Sequence, residues 1–284
     1  MANNNQILNR LFTLNSFNEL LQYGSNSIYS TAIDRFIDSP SSKSNGEIIS
    51  EIYAYLSKNY RNEYYYENTL LNKLLLQVHK PSTTTALAQT PISTSIADFV
   101  LINGKAVVYE IKTELDTFDR LPSQIKDYYK AFTHVCVVTS ETQFPKLFDI
   151  LKDSSVGIRV INKTGNLSKT LYKEPEECRA YLCHDVIFSV LRKNEFENIL
   201  MQYYKRLPDV TAAQYYTAAF EEFRLIPIDV VYSLSLLELK KRNRVTYLEL
   251  IQAPKEIRSL YYFSKPTYTT YASLSKFVNE KYGG

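Results

Sequence analysis

The chain contains no tryptophan, seven glycines and three cysteines in 284 residues. Three cysteines are an odd number, so they indicate no disulfide framework and favour a reducing compartment. They are also too few for an iron–sulfur cluster that is held by four thiolates. Little glycine and many long aliphatic residues favour a largely helical chain.

Long apolar runs and a strong net charge are missing as well. No stretch approaches the ~20 consecutive apolar residues that cross a bilayer. Residues 1–12 lack the basic-then-apolar order of a secretory signal. The net charge of +3 neither demands nor excludes a nucleic-acid partner. We therefore expect a cytoplasmic protein that has no membrane partner and folds as one large domain or two.

The most informative pattern lies in the middle of the chain. Phe99–Ile102 and Ala106–Ile111 are short apolar runs rich in β-branched residues, and Asn103-Gly104 joins them. This arrangement predicts a β-hairpin. Because both runs are apolar on both faces, we expect the hairpin to lie inside a sheet that is covered on both sides.

Three charged residues lie in or beside these predicted strands, namely Asp98, Glu110 and Lys112. A charge in a buried strand is unfavourable unless it is paired or bound to a metal. Carboxylate oxygens are ligands that Mg²⁺ prefers, and a lysine can position a water or neutralise developing charge. Two acids and a lysine at the end of a central sheet therefore indicate metal-assisted cleavage of a phosphodiester.

The register of the hairpin decides whether the two acids can meet. A two-residue turn at Asn103-Gly104 pairs Asp98 with Tyr109, and Glu110 then faces the opposite way. A three-residue connection with a bulge at Gly104 shifts the register by one and brings Asp98 opposite Glu110. The metal-site hypothesis therefore predicts a bulge, or a distortion of the first strand near Asp98.

Asp98 followed by Glu110-Ile111-Lys112 resembles the PD-(D/E)XK signature of restriction-endonuclease-like nucleases. Gln124 and Tyr128, four residues apart on a predicted helix, resemble the Q-x-x-x-Y motif of the RecB-like branch. The residue before Asp98 is Ala97 where that signature has proline. The likeness covers about residues 60–140 and extends to a group of bacterial nuclease-like proteins.

The resemblance implies an α/β (α+β) fold, with a mixed sheet in a restriction-endonuclease-like αβββαβ core. It implies hydrolysis of DNA with Mg²⁺ or Mn²⁺ in a bacterial cytoplasm, in phage defence or repair, with RNA as an alternative substrate. The implied catalytic residues are Asp98, Glu110, Lys112, Gln124 and Glu63. The implied metal-binding residues are Asp98, Glu110 and Ile111, joined by Glu63 or Glu67. Each of those two glutamates is otherwise a solvated acid at a helix end.

Further residues are candidates for nucleic-acid contact. Arg120 offers a planar fork for a phosphate, or else belongs to a solvated turn before a helix. Tyr128 is a candidate for the same role, although packing also explains it. Lys240, Lys241 and Arg242 form a basic run that either follows a phosphate backbone or caps a helix C-terminus.

Polar loops and helical spacing predict three segments. They are a helical extension over residues 1–46, the nuclease-like core over 47–172 and a helical region over 173–284 that contributes DNA binding or a protein interface. Within the core, residues 79–95 predict a hydroxyl-rich loop and residues 156–162 a last edge strand. An alternative function is a nuclease-like binding or regulatory module that needs a partner protein for activity. That alternative predicts a closed, dry site in which Lys112 pairs with Glu110.

Overall fold

The computed structural model describes residues 5–243 and 245–283. Its contacts divide the chain into two compact units. The first unit comprises the described residues of Met1–Ser82 and Arg244–Gly284, and the second is Thr83–Asn243. This division differs from the three predicted segments. Residues 245–283 belong to the same unit as residues 5–82, and residues 173–243 belong to the same unit as the sheet.

The first unit is helical in its described residues. A capping box between Ser44 and Glu47 begins its longest helix, and the hydroxyl of Tyr64 donates to the carbonyl of Glu256 at 2.6 Å. The helices are α1 Gln6–Leu11, α2 Leu14–Tyr23, α3 Ser27–Phe36, α4 Asn45–Asn59, α5 Glu63–Leu70, α12 Tyr247–Gln252, α13 Arg258–Phe263 and α14 Tyr268–Asn279, with a 3-10 turn at Pro40–Ser42 and a π-helical continuation of α5 at Leu71–Val78.

The second unit is built on a mixed sheet whose strands lie side by side in chain order. Its strands are β1 Thr85–Ile92, β2 Ser95–Asn103, β3 Lys105–Lys112, β4 His134–Ser140, β5 Gly157–Ile161 and β6 Leu167–Lys173. β1, β2 and β3 are antiparallel, β3, β4 and β5 are parallel, and β6 returns antiparallel. β3 and β4 are buried along almost their whole length, as expected for strands covered on both faces.

Six helices of the described chain accompany this sheet: α6 Leu121–Tyr128, α7 Phe144–Leu151, α8 His184–Val190, α9 Lys193–Tyr204, α10 Ala212–Arg224 and α11 Ile228–Lys240. One continuous apolar core joins the sheet to these helices, from Leu87 on β1 to Leu239 on α11. The helices α8–α11 therefore belong to the same folding unit as the sheet and do not form a separate C-terminal region.

The predicted mixed sheet of the α+β class is confirmed. From α5 onwards the elements follow in the order helix, three strands, helix and strand, which is the predicted order αβββαβ. None of the helices in the described ranges combines the length and the apolar character needed to cross a membrane.

Two local predictions are wrong. Residues 79–95 were expected to form a loop, but β1 occupies Thr85–Ile92 because its hydroxyl side chains are accommodated inside the sheet. Thr85 and Thr90 are buried, and the Thr85 hydroxyl donates to the carbonyl of Lys240 at 2.6 Å. Residues 156–162 were expected to form the edge strand, but β6 pairs along the outer side of β5.

Candidate active site

The hairpin β2–β3 adopts the register that places the two acids opposite each other. Phe99 pairs with Tyr109, Ile102 with Ala106 and Asn103 with Lys105. The connection is therefore Asn103-Gly104-Lys105, with Gly104 at its centre and a φ of 72°. Continuing this register by one residue places Asp98 opposite Glu110. Of the two registers considered from the sequence, the three-residue connection is therefore the one that forms.

The distortion expected near Asp98 is also present. The regular pairing of β2 with β3 ends at Phe99 and Tyr109, one position before the two acids. Beyond that point the Asp98 side chain connects the two strands, because its Oδ2 accepts a hydrogen bond from the backbone N–H of Ile111 at 2.7 Å. The carboxylate thus occupies the place of a backbone carbonyl and ties β2 to β3 beside Glu110.

Glu110 forms the centre of the cluster and is 2% exposed. Its Oε1 accepts hydrogen bonds from Lys112 Nζ at 2.8 Å and from Gln124 Nε2 at 2.6 Å. Its Oε2 accepts a short hydrogen bond from the Tyr128 hydroxyl. Three donors from two elements therefore hold a carboxylate that would be costly to bury alone.

Lys112 is buried together with its partner. Its Nζ donates to Gln124 Oε1 at 3.0 Å as well as to Glu110, so the Gln124 amide links the cation and the carboxylate. The Lys112 carbonyl accepts a hydrogen bond from the Thr139 hydroxyl at 2.8 Å, which fixes the end of β3 against β4. This is the paired, closed arrangement that the alternative function predicted for Lys112 and Glu110.

Helix α6 supplies Gln124 and Tyr128 on one face, as their spacing predicted. The Tyr128 hydroxyl also lies 2.9 Å from the carbonyl oxygen of Ile96 on β2. Burial, followed by the negative charge of Glu110, raises the pKa of the Tyr128 phenol far above its usual value. Tyr128 is therefore a neutral hydrogen-bond donor at any physiological pH.

The sequence analysis missed Asp127, which anchors the same helix. Its Oδ2 accepts from the Thr94 backbone N–H, the Thr94 hydroxyl and the Ser95 hydroxyl, and its Oδ1 accepts from Lys130 Nζ. Burial opposes ionisation, but hydrogen bonds from Lys130, Thr94 and Ser95 outweigh it and hold the pKa of Asp127 far below its usual value. The Asp-x-x-Lys spacing of an i,i+3 ion pair was the one local signal for this anchor.

The predicted nucleic-acid residues lie in different surroundings. Arg120 is exposed immediately before α6, and Lys240 is half-buried at the end of α11. Lys241 forms an ion pair with Glu238. Their contact with nucleic acid stays a prediction, as does that of Tyr128.

Arg242 is engaged within the fold. Its Nε and one terminal nitrogen each donate to a Glu195 carboxylate oxygen at 2.6 Å, and the same terminal nitrogen donates to the Val190 carbonyl at 2.8 Å. A phosphate that bound these two nitrogens would have to displace Glu195. The contacts favour a structural role, in which Arg242 ties the end of α8 to the start of α9.

Glu63 and Glu67 belong to α5 of the first unit. Glu63 is exposed and Glu67 is half-buried. Burial, with a contribution from the nearby Glu63 charge, raises the pKa of the Glu67 carboxyl to about 8. Their role as metal ligands stays a prediction.

The cluster in the second unit offers a divalent ion the right kind of ligand. Asp98 and Glu110 contribute carboxylate oxygens and Ile111 a backbone carbonyl, which are the hard donors that Mg²⁺ and Mn²⁺ take. Both Glu110 oxygens already accept hydrogen bonds. At least one of these bonds would have to break or lengthen before an ion could bind a Glu110 oxygen. Across residues 5–243 and 245–283, no group of three or more His, Cys, Asp or Glu side chains is arranged to hold a metal.

A family model described as bacteriophage P4 protein cII matches residues 57–253, more than half of the chain. That description names a phage protein and states no biochemical activity. No curated protein and no solved structure matches the chain. The chain belongs to the family of bacteriophage P4 protein cII.

Proposed function

We propose that this member of the bacteriophage P4 cII family is a divalent-metal-dependent nuclease that hydrolyses phosphodiester bonds of DNA. The observation that carries the proposal is the register of β2 and β3. It brings Asp98 opposite Glu110 and ties the Asp98 carboxylate to the Ile111 N–H at 2.7 Å. This is the arrangement of two acids that the resemblance to PD-(D/E)XK nucleases requires.

Each residue of the cluster has a role in this proposal. Asp98, Glu110 and the Ile111 carbonyl would hold Mg²⁺ or Mn²⁺, which when bound polarises a phosphoryl oxygen and acidifies water. Lys112 lies two residues beyond Glu110 on β3 and supplies a positive charge for the attacking water or the developing phosphorane charge. Gln124 bridges Lys112 and Glu110 and fixes their relative position. Tyr128 holds the second oxygen of Glu110.

Several properties follow from the proposal. The substrate is DNA, and RNA is the alternative because the cluster itself distinguishes no 2′-hydroxyl. Arg120, exposed at the start of α6, is the residue we assign to the phosphate backbone in the second unit. We place the activity in a bacterial cytoplasm, in keeping with the unpaired thiols of Cys136, Cys178 and Cys183, and in phage defence or repair.

A second candidate function rests on a specific observation. The Lys112 and Glu110 side chains are 10% and 2% exposed and lie 2.8 Å apart, so the cluster is a satisfied ion pair. A buried pair of this kind also serves as the core of a nuclease-like binding or regulatory module. In that case a partner protein performs the chemistry.

Cleavage of single-stranded and double-stranded DNA, both linear and circular, tests the proposal in the presence of Mg²⁺ or Mn²⁺. Asp98→Ala and Lys112→Ala should abolish cleavage, because the first removes a ligand of the proposed metal ion and the second removes the positive charge beside the attacking water. Lys105→Ala is the matched control, since Lys105 is an exposed lysine at the other end of the same strand. Cleavage of circular DNA would establish endonuclease action.

Three outcomes separate the two candidates. Metal-dependent cleavage that survives Lys105→Ala and is lost in both site variants supports the nuclease. Absence of cleavage by a folded wild-type protein with either metal overturns it and favours the binding module. Cleavage retained in Lys112→Ala would refute the assignment of this cluster.

A further inference from the structure

The hydroxyl of Tyr128 has two hydrogen-bond acceptors within reach. It lies 2.5 Å from Glu110 Oε2 and 2.9 Å from the carbonyl oxygen of Ile96. A phenol carries one hydrogen, so a full hydrogen bond goes to one of these oxygens at a time. The shorter distance and the charge of the carboxylate favour Glu110. The Ile96 carbonyl remains as a second acceptor, since Ile96 pairs with Pro91, which has no N–H to donate.

The two carboxylate oxygens of Glu110 are held in different ways. Oε1 accepts hydrogen bonds from Lys112 Nζ at 2.8 Å and from Gln124 Nε2 at 2.6 Å, whereas Oε2 accepts from Tyr128. Freeing Oε1 would break an ion pair and an amide hydrogen bond, and it would place a metal ion beside the Lys112 ammonium. Freeing Oε2 breaks a single hydrogen bond. Oε2 is therefore the Glu110 oxygen that an ion can bind with less disruption.

The position of Tyr128 relative to Ile96 is fixed from the neighbouring residues. Asp127 precedes Tyr128 on α6, and its Oδ2 accepts hydrogen bonds from Thr94 and Ser95, which directly precede Ile96. These bonds tie the end of α6 to the start of β2. The Ile96 carbonyl therefore stays beside the Tyr128 hydroxyl when the carboxylate no longer accepts from it.

We infer that Glu110 binds the divalent ion through Oε2, and that Tyr128 is a positioning residue that changes its acceptor. In the metal-free protein the Tyr128 hydroxyl donates to Oε2 and stabilises the buried carboxylate. When Oε2 is a metal ligand, the hydroxyl donates to the Ile96 carbonyl, so that neither buried group loses its partner. The inference rests on the proposed function for the ion, whereas the change of acceptor is a property of the chain itself.

One consequence is that the Tyr128 hydroxyl competes with the ion for the same oxygen. Tyr128→Phe removes the competitor, so binding no longer breaks a hydrogen bond. We expect the dissociation constant for Mn²⁺, measured by calorimetry, to fall by about tenfold, because a hydrogen bond to a charged group contributes about that factor. A tyrosine that only oriented Glu110 for the ion would give the opposite result, since its removal would weaken binding.

Tyr129→Phe is the matched control for this titration. Tyr129 is the next residue of the chain and is also buried, and its hydroxyl makes no hydrogen bond with the described residues. Its removal should leave the dissociation constant within a factor of about two of the wild type, because no bond to Glu110 is lost.

The Ile96 carbonyl reports the acceptor directly. Ile96-Ala97 is the single Ile-Ala pair of the sequence, so ¹³C-carbonyl isoleucine and ¹⁵N-alanine together give one resonance in an HNCO spectrum. A stronger hydrogen bond moves a carbonyl carbon to higher chemical shift. Saturating Mg²⁺ should therefore raise the Ile96 shift in the wild type and in Tyr129→Phe, but not in Tyr128→Phe.

Glu110→Gln tests the change of acceptor without any metal. Lys112 and Gln124 donate to Oε1, so the oxygen of the new amide takes that position and its NH₂ group replaces Oε2. An NH₂ group accepts no hydrogen bond, and the Tyr128 hydroxyl should donate to Ile96 instead. The Ile96 shift should thus rise in metal-free Glu110→Gln, as it does with Mg²⁺ in the wild type.

Three results would overturn the inference. The first is Mn²⁺ binding by folded Tyr128→Phe that is equal to or weaker than that of the wild type. The second is an Ile96 carbonyl shift that does not rise in Glu110→Gln, or that rises equally with Mg²⁺ in Tyr128→Phe. The third is the absence of Mn²⁺ binding by both the wild type and Tyr128→Phe, since the inference makes Oε2 a metal ligand.

These titrations contain no DNA, so their outcome is separate from that of the cleavage assay. A protein that shows tighter Mn²⁺ binding in Tyr128→Phe and the Ile96 shifts, but leaves DNA intact, retains this inference and loses the nuclease. Metal-dependent cleavage together with weaker Mn²⁺ binding in Tyr128→Phe retains the nuclease and overturns this inference.

Discussion

Removal of the Lys112 ammonium by Lys112→Met tests the buried ion pair most sharply. The substitution keeps a four-atom apolar stem, removes the terminal ammonium and leaves Glu110 buried with its hydrogen bonds from Gln124 and Tyr128 alone. Removing one partner of a buried pair costs ~3–5 kcal/mol. Because the two remaining donors still satisfy both carboxylate oxygens, we expect a loss at the lower end, about 3 kcal/mol in the free energy of unfolding.

The double variant Lys112→Met/Glu110→Gln supplies the decisive comparison. Replacing both charges removes the unpaired carboxylate, so the double variant should be more stable than Lys112→Met alone. The cycle should then give a coupling energy of about 2 kcal/mol. The assay is urea unfolding at neutral pH, with Lys105→Met as the exposed control on the same strand, expected within about 0.5 kcal/mol of the wild type.

A loss below about 1 kcal/mol in Lys112→Met would refute the argument, since an exposed pair is worth only that much. Additive effects in the cycle would refute it equally. Either result would mean that Glu110 and Lys112 are solvated rather than buried together.

Further predictions concern the groups around the site and in the first unit. The low pKa of Asp127 stabilises the fold above its unfolded-state pKa of about 4, and this contribution disappears as the pH falls. Asp127→Asn should therefore destabilise the protein by about 2 kcal/mol at pH 7 and by less at pH 3, measured by thermal unfolding. The raised pKa of Glu67, about 8, has the opposite effect on stability, because ionisation of this buried carboxyl in the folded state is unfavourable. Glu67→Gln should gain stability relative to the wild type as the pH rises from 5 to 8, which a flat difference would contradict. Arg242→Ala leaves Glu195 buried without its bidentate partner and should cost ~3 kcal/mol in urea unfolding. A loss under about 1 kcal/mol would instead leave Arg242 available for nucleic acid.

The sequence predicted the hairpin because its signals are local. Apolar runs on either side of Asn103-Gly104 specify two strands and a turn. They do not specify the register, since both a two-residue and a three-residue connection are compatible with that turn. The register depends on how β2 also pairs with β1 on its other side, which the local pattern of the hairpin does not specify.

The missed strand β1 has a related cause. Hydroxyl-rich segments are usually surface loops, but Thr85 is satisfied by a carbonyl at Lys240, more than 150 positions further along the chain. Local composition cannot reveal a partner so remote. The same limit applies to Arg242, whose bidentate partner Glu195 lies 47 residues earlier.

The helices that follow the sheet show that local sequence patterns also do not determine which unit a helix joins. Amphipathic spacing predicts α8–α11 as helices, but an apolar face does not name the surface that it covers. In the structure these helices share the core of the sheet, while α12–α14 join the N-terminal helices. The segment boundaries predicted at residues 46 and 172 therefore differ from the division that the contacts make.

The central claim is that the cluster of Asp98, Glu110 and Lys112 cleaves phosphodiester bonds. Incubation of supercoiled circular DNA with the wild type, Lys112→Ala and Lys105→Ala in Mn²⁺ tests it most directly. The account predicts nicked or linear DNA with the wild type and Lys105→Ala, and none with Lys112→Ala or when EDTA is present. Intact DNA with a folded wild-type protein, or equal cleavage by Lys112→Ala, would contradict it.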